Sequence, residues 1–251
     1  MNDASFFTTP QGRKIAYHLT DGTGPGMVFL GGFKSDMDGT KAVHLEAWAR
    51  AAGRGFLRLD YSGHGQSSGD FLEGCIGDWA CDVRDTLGAL TKGPQVLVGS
   101  SMGGWISLLT ARAMPDRVCG LVGLAAAPDF TEDGYWANFD AAQRAQLDAD
   151  GVVHVPSDYG EPYPITRRLI EDGRDQLVLR TPLALPFPVR FVQGTADDAV
   201  SVETALRLLD HADSPDMRLT LIDGADHRLS TPDELAVIVS NVEDVLGRQA
   251  R

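Results

Sequence analysis

The sequence has few cysteines, and none of them is arranged in a pair. There are three, an odd number, and no C-x-x-C pattern occurs, which argues against a disulfide scaffold. No group of histidines has the spacing of metal ligands either. We therefore expect reduced, structural thiols and no metal site.

Runs of basic residues and long apolar segments are also missing. Acidic residues outnumber basic ones by 35 to 22, which gives a formal net charge of −13, so binding to nucleic acid is disfavoured. No apolar run reaches the roughly 18 residues of a membrane span, and the N-terminal stretch MNDASFFTTPQG lacks the pattern of a targeting peptide. These absences predict a soluble, cytoplasmic protein without integral membrane association. We expect a monomer or homodimer, although the sequence does not give the oligomeric state.

Short apolar runs that end at glycine alternate with segments of helical spacing. This alternation predicts an α/β fold, in which helices cover both faces of a mostly parallel, twisted sheet. The rhythm breaks over residues 128–186, where only two weak helices are predicted, near 137–149 and 165–178. We expect this segment to be a small helical cap inserted into a core formed by 1–127 and 187–251.

A glycine-rich turn, residues 99–103, follows one of the predicted strands and precedes a predicted helix. The turn fits the pattern G-x-S-x-G with Ser101 at its centre, although glycine- and serine-rich surface turns are common. A nucleophile on such a tight turn is held in a strained backbone conformation, and the helix N-terminus directs N–H groups at a developing oxyanion. Ser100 would need glycines where Val98 and Met102 stand, so the register selects Ser101.

A serine nucleophile needs a base, and the chain order expected on this topology is serine, acid, histidine. Of six histidines, only His211 and His227 follow the strand predicted at 189–192. His211 ends a predicted helix, where a structural role is expected. His227 lies in the loop after the last strand, at the same edge of the sheet as Ser101, and is the candidate base.

Three acidic residues compete for the role of orienting His227. Asp197 and Asp198 both follow the strand at 189–192, and two adjacent carboxylates cannot both usefully face the histidine. Asp226 is a third option, but it is too close along the chain to bond the far ring nitrogen easily.

The oxyanion hole requires two backbone N–H groups. Met102, which follows the nucleophile, supplies the first, and Phe33, after Gly31-Gly32, is the natural second donor unless that segment is a plain turn. His64, in another glycine-rich turn, is expected to be structural. The aromatic residues of the cap fit either an acyl pocket or a small core of their own; they are Phe130, Tyr135, Trp136, Phe139, Tyr159 and Tyr163.

Taken in order, these motifs resemble those of the α/β-hydrolase superfamily over essentially the whole chain. They are G-x-S-x-G at 99–103, G-x-x-D-x-x-V at 194–200 and Asp-His at 226–227. The resemblance implies an eight-stranded sheet and makes Asp197 the acid of the triad. Stretches such as DYSG and VGSSMGGW are similar to the superfamily's mitochondrial palmitoyl-protein thioesterase and acyl-glucuronide esterase group.

The resemblance implies a serine hydrolase without a cofactor, which cleaves thioesters or carboxylic esters through an acyl-enzyme. Its substrate would be a small molecule or an acylated protein, and depalmitoylation would be one such reaction. Hydrolysis of carbon–carbon or amide bonds, perhydrolysis and a non-catalytic, ligand-binding role remain alternatives, because one fold supports many functions.

Overall fold

A computed structural model describes residues 3–156 and 161–248. Its strands are β1 (Ser5–Thr8), β2 (Lys14–Thr20), β3 (Thr23–Leu30), β4 (Arg54–Leu59), β5 (Gln95–Ser100), β6 (Val118–Leu124), β7 (Val152–Val155), β8 (Tyr163–Thr166), β9 (Leu183–Ala184), β10 (Val189–Gly194), β11 (Ala212–Asp213) and β12 (Met217–Ile222). Its helices are α1 (Thr40–Ala51), α2 (Ile76–Leu90), α3 (Met102–Ala113), α4 (Ala141–Asp150), α5 (Arg167–Asp175), α6 (Val202–His211) and α7 (Pro232–Arg248).

Eight of these strands form one sheet, in the order β1-β2-β4-β3-β5-β6-β10-β12. Strand β2 runs antiparallel to both of its neighbours, and the six strands from β4 to β12 are parallel. The central strands are short apolar runs that helices cover on both faces, as is typical of parallel sheets. The predicted fold class is confirmed.

The helices divide between the two faces of the sheet, and each face has its own apolar core. Helices α1 and α7 supply residues such as Leu45 and Ile238 to one core. Helices α2, α3 and α6 supply residues such as Trp79, Trp105 and Leu208 to the other. Burial of these apolar side chains is the main force that holds the helices on the sheet.

The segment between β6 and β10 contains more than the two expected helices. Helices α4 and α5 lie close to their predicted positions, but β7 and β8 also form an antiparallel pair, so the description of the cap as helical is incomplete. The two strands have four residues each, which is too short for their alternation to be read from the sequence. The boundaries of core and cap remain predictions.

None of the helices that the structure describes is long and apolar enough to cross a membrane.

The parallel strands all end at one edge of the sheet. In parallel sheets this edge is where ligands bind, and it is also where the predicted site residues lie.

Candidate active site

Ser101 occupies the sharp turn between β5 and α3. Its backbone has φ 55° and ψ −118°, a conformation that a residue with a side chain adopts only under constraint. The constraint comes from hydrogen bonds on both sides of the residue. Its N–H donates to the Leu124 carbonyl oxygen at 2.9 Å, and its own carbonyl oxygen accepts from Gly104 at 2.9 Å and Ala127 at 3.1 Å.

The glycines that flank Ser101 are required by the packing of α3 against the sheet. A Cβ atom on Gly99 would lie 2.2 Å from the Gly103 carbonyl oxygen, and one on Gly103 would lie 2.0 Å from the Leu30 carbonyl oxygen. Both contacts are with backbone atoms, which no side-chain rotation can relieve. The G-x-S-x-G spacing thus reflects the close approach of helix and strands around the serine.

The structure brings Ser101, His227 and Asp197 together from three separate loops. Nε2 of His227 lies 3.1 Å from Oγ of Ser101, and Nδ1 of His227 lies 2.9 Å from Oδ2 of Asp197. Both distances are within hydrogen-bond reach. The three side chains therefore have the relative geometry of a nucleophile, a base and an orienting acid.

The other two acidic candidates have different surroundings. Asp198 is exposed and lies at the edge of the cavity beside the serine. The Asp226 carboxylate bonds to a near neighbour in its own loop, because its Oδ1 accepts a hydrogen bond from the Arg228 N–H at 2.8 Å. Of the three, only Asp197 lies within hydrogen-bond reach of the His227 ring.

Asp197 is surrounded by hydrogen-bond donors. Burial alone would raise its pKa, but the contact with His227 and the hydrogen bonds from the Val200 N–H and Gln193 hold the pKa below its usual value. The carboxylate therefore stays ionised at neutral pH and can stabilise a positive charge on His227. No sequence motif indicated Gln193, whose Nε2 lies 2.8 Å from Oδ2 of Asp197. Its one available signal was a second polar residue, after Arg190, in the strand VRFVQG.

The two predicted oxyanion donors lie in loops that approach each other closely. A Cβ atom on Gly32 would lie 3.4 Å from the Ser101 Cβ, so the loop carrying Phe33 is in contact with the nucleophile turn. Among the described residues, neither the Phe33 N–H nor the Met102 N–H has an acceptor. Both amides are thus available to a ligand, and their role as an oxyanion hole stays a prediction.

His211 and His64 lie outside this chain of contacts, and the structural roles expected of them stay predictions. Nε2 of His211 lies 2.8 Å from the Thr181 carbonyl oxygen, at the end of α6. The His64 ring is buried, with Nδ1 3.2 Å from the Ser62 carbonyl oxygen.

A cavity of about 730 Å³ opens beside Ser101 and His227. The cap aromatics divide between the two roles considered for them. Phe130, Tyr135 and Tyr163 line the cavity, whereas the buried Phe139 packs in the core against Trp136. Tyr159 lies outside the described residues.

The polar side of the cavity includes Lys41, which lies in the stretch GTKA and to which no role was assigned from the sequence. Lys41, in the first turn of α1, donates a hydrogen bond from Nζ to the Arg228 carbonyl oxygen. Burial lowers the Lys41 pKa to about 8, against the opposing effect of Asp226, Glu234 and Asp197. Lys41 therefore connects α1 to the loop that carries His227.

The described ranges contain no group of three or more histidine, cysteine, aspartate or glutamate side chains placed to hold a metal ion. The cluster at the sheet edge consists instead of a hydroxyl, an imidazole and a carboxylate in series. These are the groups needed for transfer of an acyl group to serine.

Known proteins resemble this chain in sequence and in fold. Residues 27–238 match the model that describes the Alpha/beta hydrolase family, and this match spans both the serine turn and the histidine loop. The chain belongs to the alpha/beta hydrolase family. It is therefore a hydrolase by family, and the resemblance drawn from its motifs is confirmed.

One relative is the rat protein named palmitoyl-protein thioesterase ABHD10, mitochondrial. It is 32% identical over 97% of this chain and 82% of its own length. The structure of mouse alpha/beta hydrolase domain-containing protein 10 has a TM-score of 0.92 at 31% identity, over 99% of this chain and 100% of the mouse chain. A crystal structure from Agrobacterium vitis S4 has a TM-score of 0.94 at 36% identity, over 97% and 98% of the two chains.

The expectation of a cytoplasmic location is wrong by these comparisons, because the rat relative is named as a mitochondrial protein. The expectation depended on the absence of a recognisable targeting pattern. A targeting pattern lies in a segment of its own, so the sequence of the folded domain does not show in which compartment the protein is located.

Proposed function

We propose that this hydrolase cleaves thioesters or carboxylic esters through an acyl-enzyme formed on Ser101. The observation that carries the proposal is the continuous series of contacts from Ser101 Oγ through His227 to Asp197, at 3.1 and 2.9 Å. Hydrolysis of an ester or thioester also agrees with the family and with the relatives named as thioesterases.

In the first half of the reaction, Ser101 Oγ attacks the carbonyl carbon of the substrate while His227 Nε2 accepts the hydroxyl proton. Asp197 holds the His227 ring in place and stabilises its positive charge. The N–H groups of Phe33 and Met102 bind the oxyanion, and loss of one such donor costs about 3 kcal/mol in related sites. The oxyanion then collapses and the bond from the carbonyl carbon to the substrate sulfur or oxygen breaks, while His227 gives its proton to that atom, which leaves as a thiol or alcohol.

In the second half, water takes the place of the leaving group. His227 accepts a proton from that water, which attacks the acyl carbon and forms a second oxyanion in the same hole. The bond between Ser101 and the acyl carbon breaks, and the proton returns to Oγ. His227 carries every proton in this cycle, and Asp197 remains ionised throughout.

The aromatic side of the cavity fits the acyl part of the substrate. Phe33, Phe130, Tyr135 and Tyr163 line it, and apolar and aromatic walls are typical of sites that bind hydrophobic groups. With relatives named palmitoyl-protein thioesterase, we include acylated proteins and small acyl esters as substrates, and depalmitoylation as a candidate reaction.

The central test replaces the nucleophile. Ser101→Ala should lower kcat on a p-nitrophenyl ester or an acyl thioester by about 10⁴-fold or more, because the acyl-enzyme cannot form. The same variant should lose labelling by a fluorophosphonate probe, while circular dichroism shows an intact fold.

Ser100→Ala is the matched control, because it removes the same group one residue earlier in the turn. This variant should keep both labelling and turnover within a few-fold of wild type. Full activity of Ser101→Ala, or labelling that follows Ser100, would refute the assignment. A panel of thioesters, esters and amides of different acyl lengths then separates the candidate reactions.

A further inference from the structure

The loop that carries the Phe33 amide is tied to the turn after β4 at two points. On the N-terminal side, the Tyr61 hydroxyl donates to the Gly31 carbonyl oxygen at 3.0 Å. On the C-terminal side, the Lys34 N–H donates to Nε2 of His64 at 3.2 Å. The peptide group that presents the Phe33 N–H therefore lies between two anchored peptide groups.

The hydrogen bond on the C-terminal side involves a residue with a strained backbone. Lys34 has φ 60°, a left-handed conformation that costs free energy in any residue other than glycine. Such a conformation persists only where the surroundings hold it. The hydrogen bond to His64 is the contact that engages the Lys34 amide directly.

His64 has a fixed position and a defined tautomer. Its ring packs edge-on against Tyr61, Phe71 and Trp79 at centroid distances of 5.4, 5.1 and 5.0 Å. Because an amide N–H only donates, Nε2 must accept from Lys34, and Nδ1 must carry the proton that it donates to the Ser62 carbonyl oxygen.

The surroundings of His64 keep its ring neutral. Burial lowers the His64 pKa to about 4, so the ring has a free acceptor nitrogen throughout the neutral pH range. The Ser62 carbonyl oxygen is itself held, because it accepts a second hydrogen bond from Trp79 Nε1 at 3.0 Å. The imidazole is thus a rigidly held acceptor that faces the loop carrying Phe33.

We propose that His64 and Tyr61 are positioning residues that hold the Phe33 N–H in the orientation that binds the oxyanion. His64 acts through Lys34, and Tyr61 acts through Gly31. The inference rests on the proposed function, because it assumes that the Phe33 amide stabilises the oxyanion formed on Ser101.

The test separates a positioning role from a packing role. His64→Phe keeps an aromatic ring in the cluster but removes the acceptor for the Lys34 amide. We expect kcat on an acyl thioester to fall 10- to 100-fold with KM within about twofold, because a displaced oxyanion donor weakens the transition state more than the bound ester. His64→Gln, which offers a carbonyl oxygen as acceptor, should recover most of that loss.

Tyr61→Phe removes the other anchor and should lower kcat in the same way. Since the two residues anchor the peptide groups on either side of the one that carries the Phe33 N–H, the double variant should lose less than the product of the two single effects. His211→Phe is the matched control, because it removes a ring–carbonyl contact of the same kind at the end of α6. It should leave kcat within about twofold.

A second measurement does not depend on activity. Hydrogen exchange of the Lys34 amide, followed by NMR, should be at least 10-fold faster in His64→Phe than in wild type or His211→Phe. Unchanged kcat and exchange in His64→Phe, or equal losses of kcat in His64→Phe and His64→Gln, would overturn the positioning role alone. Failure of the wild-type enzyme to turn over any ester or thioester would instead overturn the proposed function, and the inference with it.

Discussion

Asp197 and Asp198 are adjacent residues with opposite surroundings, because the chain turns sharply after β10. The Asp197 side chain has 0% exposure, and its Oδ1 accepts hydrogen bonds from the N–H groups of Ala199 and Val200 at 2.9 and 2.8 Å. Its other oxygen is left to face His227. Asp198 points away from this network, into the exposed edge of the cavity.

This contrast yields a prediction for two isosteric variants. Asp197→Asn should lower kcat by about 10⁴-fold, because an amide favours the wrong tautomer of His227 and cannot stabilise its charge. Asp198→Asn should change kcat by less than about threefold. Steady-state kinetics on one ester substrate measure both, and a larger loss in Asp198→Asn would show that the acid has been misassigned.

Helix α3 is held unusually close to the sheet, and this closeness forms the serine turn. Gly103 lets the first turn of the helix rest on β3, where a Cβ atom would meet the Leu30 and Gly31 carbonyl oxygens at 2.0 and 2.6 Å. The position of the Met102 N–H, at the start of the same helix, depends on this contact.

Gly103→Ala should therefore destabilise the protein by about 3 kcal/mol and lower kcat, because α3 must move away from β3 to admit the methyl group. Gly88→Ala is the control, and it should change stability in the opposite direction. Gly88 lies exposed within α2 with nothing within 4 Å of an added Cβ, so alanine should stabilise the helix by up to about 1 kcal/mol. Urea denaturation gives both values, and a neutral Gly103→Ala would contradict the close approach.

At the scale of the whole molecule, a buried carboxylate joins the two ends of the segment between β6 and β10. Asp129, just after β6, accepts hydrogen bonds from the N–H groups of Val178 and Leu179 at 2.8 and 3.0 Å. It also pairs with Arg180 at 2.8 Å. Asp133, nearby, pairs with Arg207 of α6 at 2.7 Å from a partly exposed position, and so links this segment to the core.

Asp129→Ala should lower the free energy of unfolding by about 3 kcal/mol, because it leaves buried amide groups and a cation without their acceptor. Asp133→Ala removes more exposed ion pairs and should cost about 1 kcal/mol or less. Urea denaturation of the two variants measures the difference. Equal losses would mean that Asp129 does not join the ends of the segment as described.

The predictions from sequence were strongest where the signal is local. Alternating apolar runs identified most of the sheet, and the glycine register singled out Ser101 over Ser100. They were weakest for short or isolated signals. The β7–β8 pair was missed because it is only four residues long on each side, and Gln193 was missed because the two polar residues of β10 form no periodic pattern.

The sequence by itself determined the fold class, the glycine-rich turn around Ser101 and the order of the candidate catalytic groups, because these depend on local spacing and on succession along the chain. It left three acids open, and only the motif resemblance favoured one of them. Only the tertiary structure brought Asp197 to His227 and set His227 against Ser101, which is 126 residues away. It also placed His64 and Tyr61 within hydrogen-bond distance of the loop that carries Phe33. Such contacts depend on which strands lie side by side in the sheet, and long-range packing decides that arrangement.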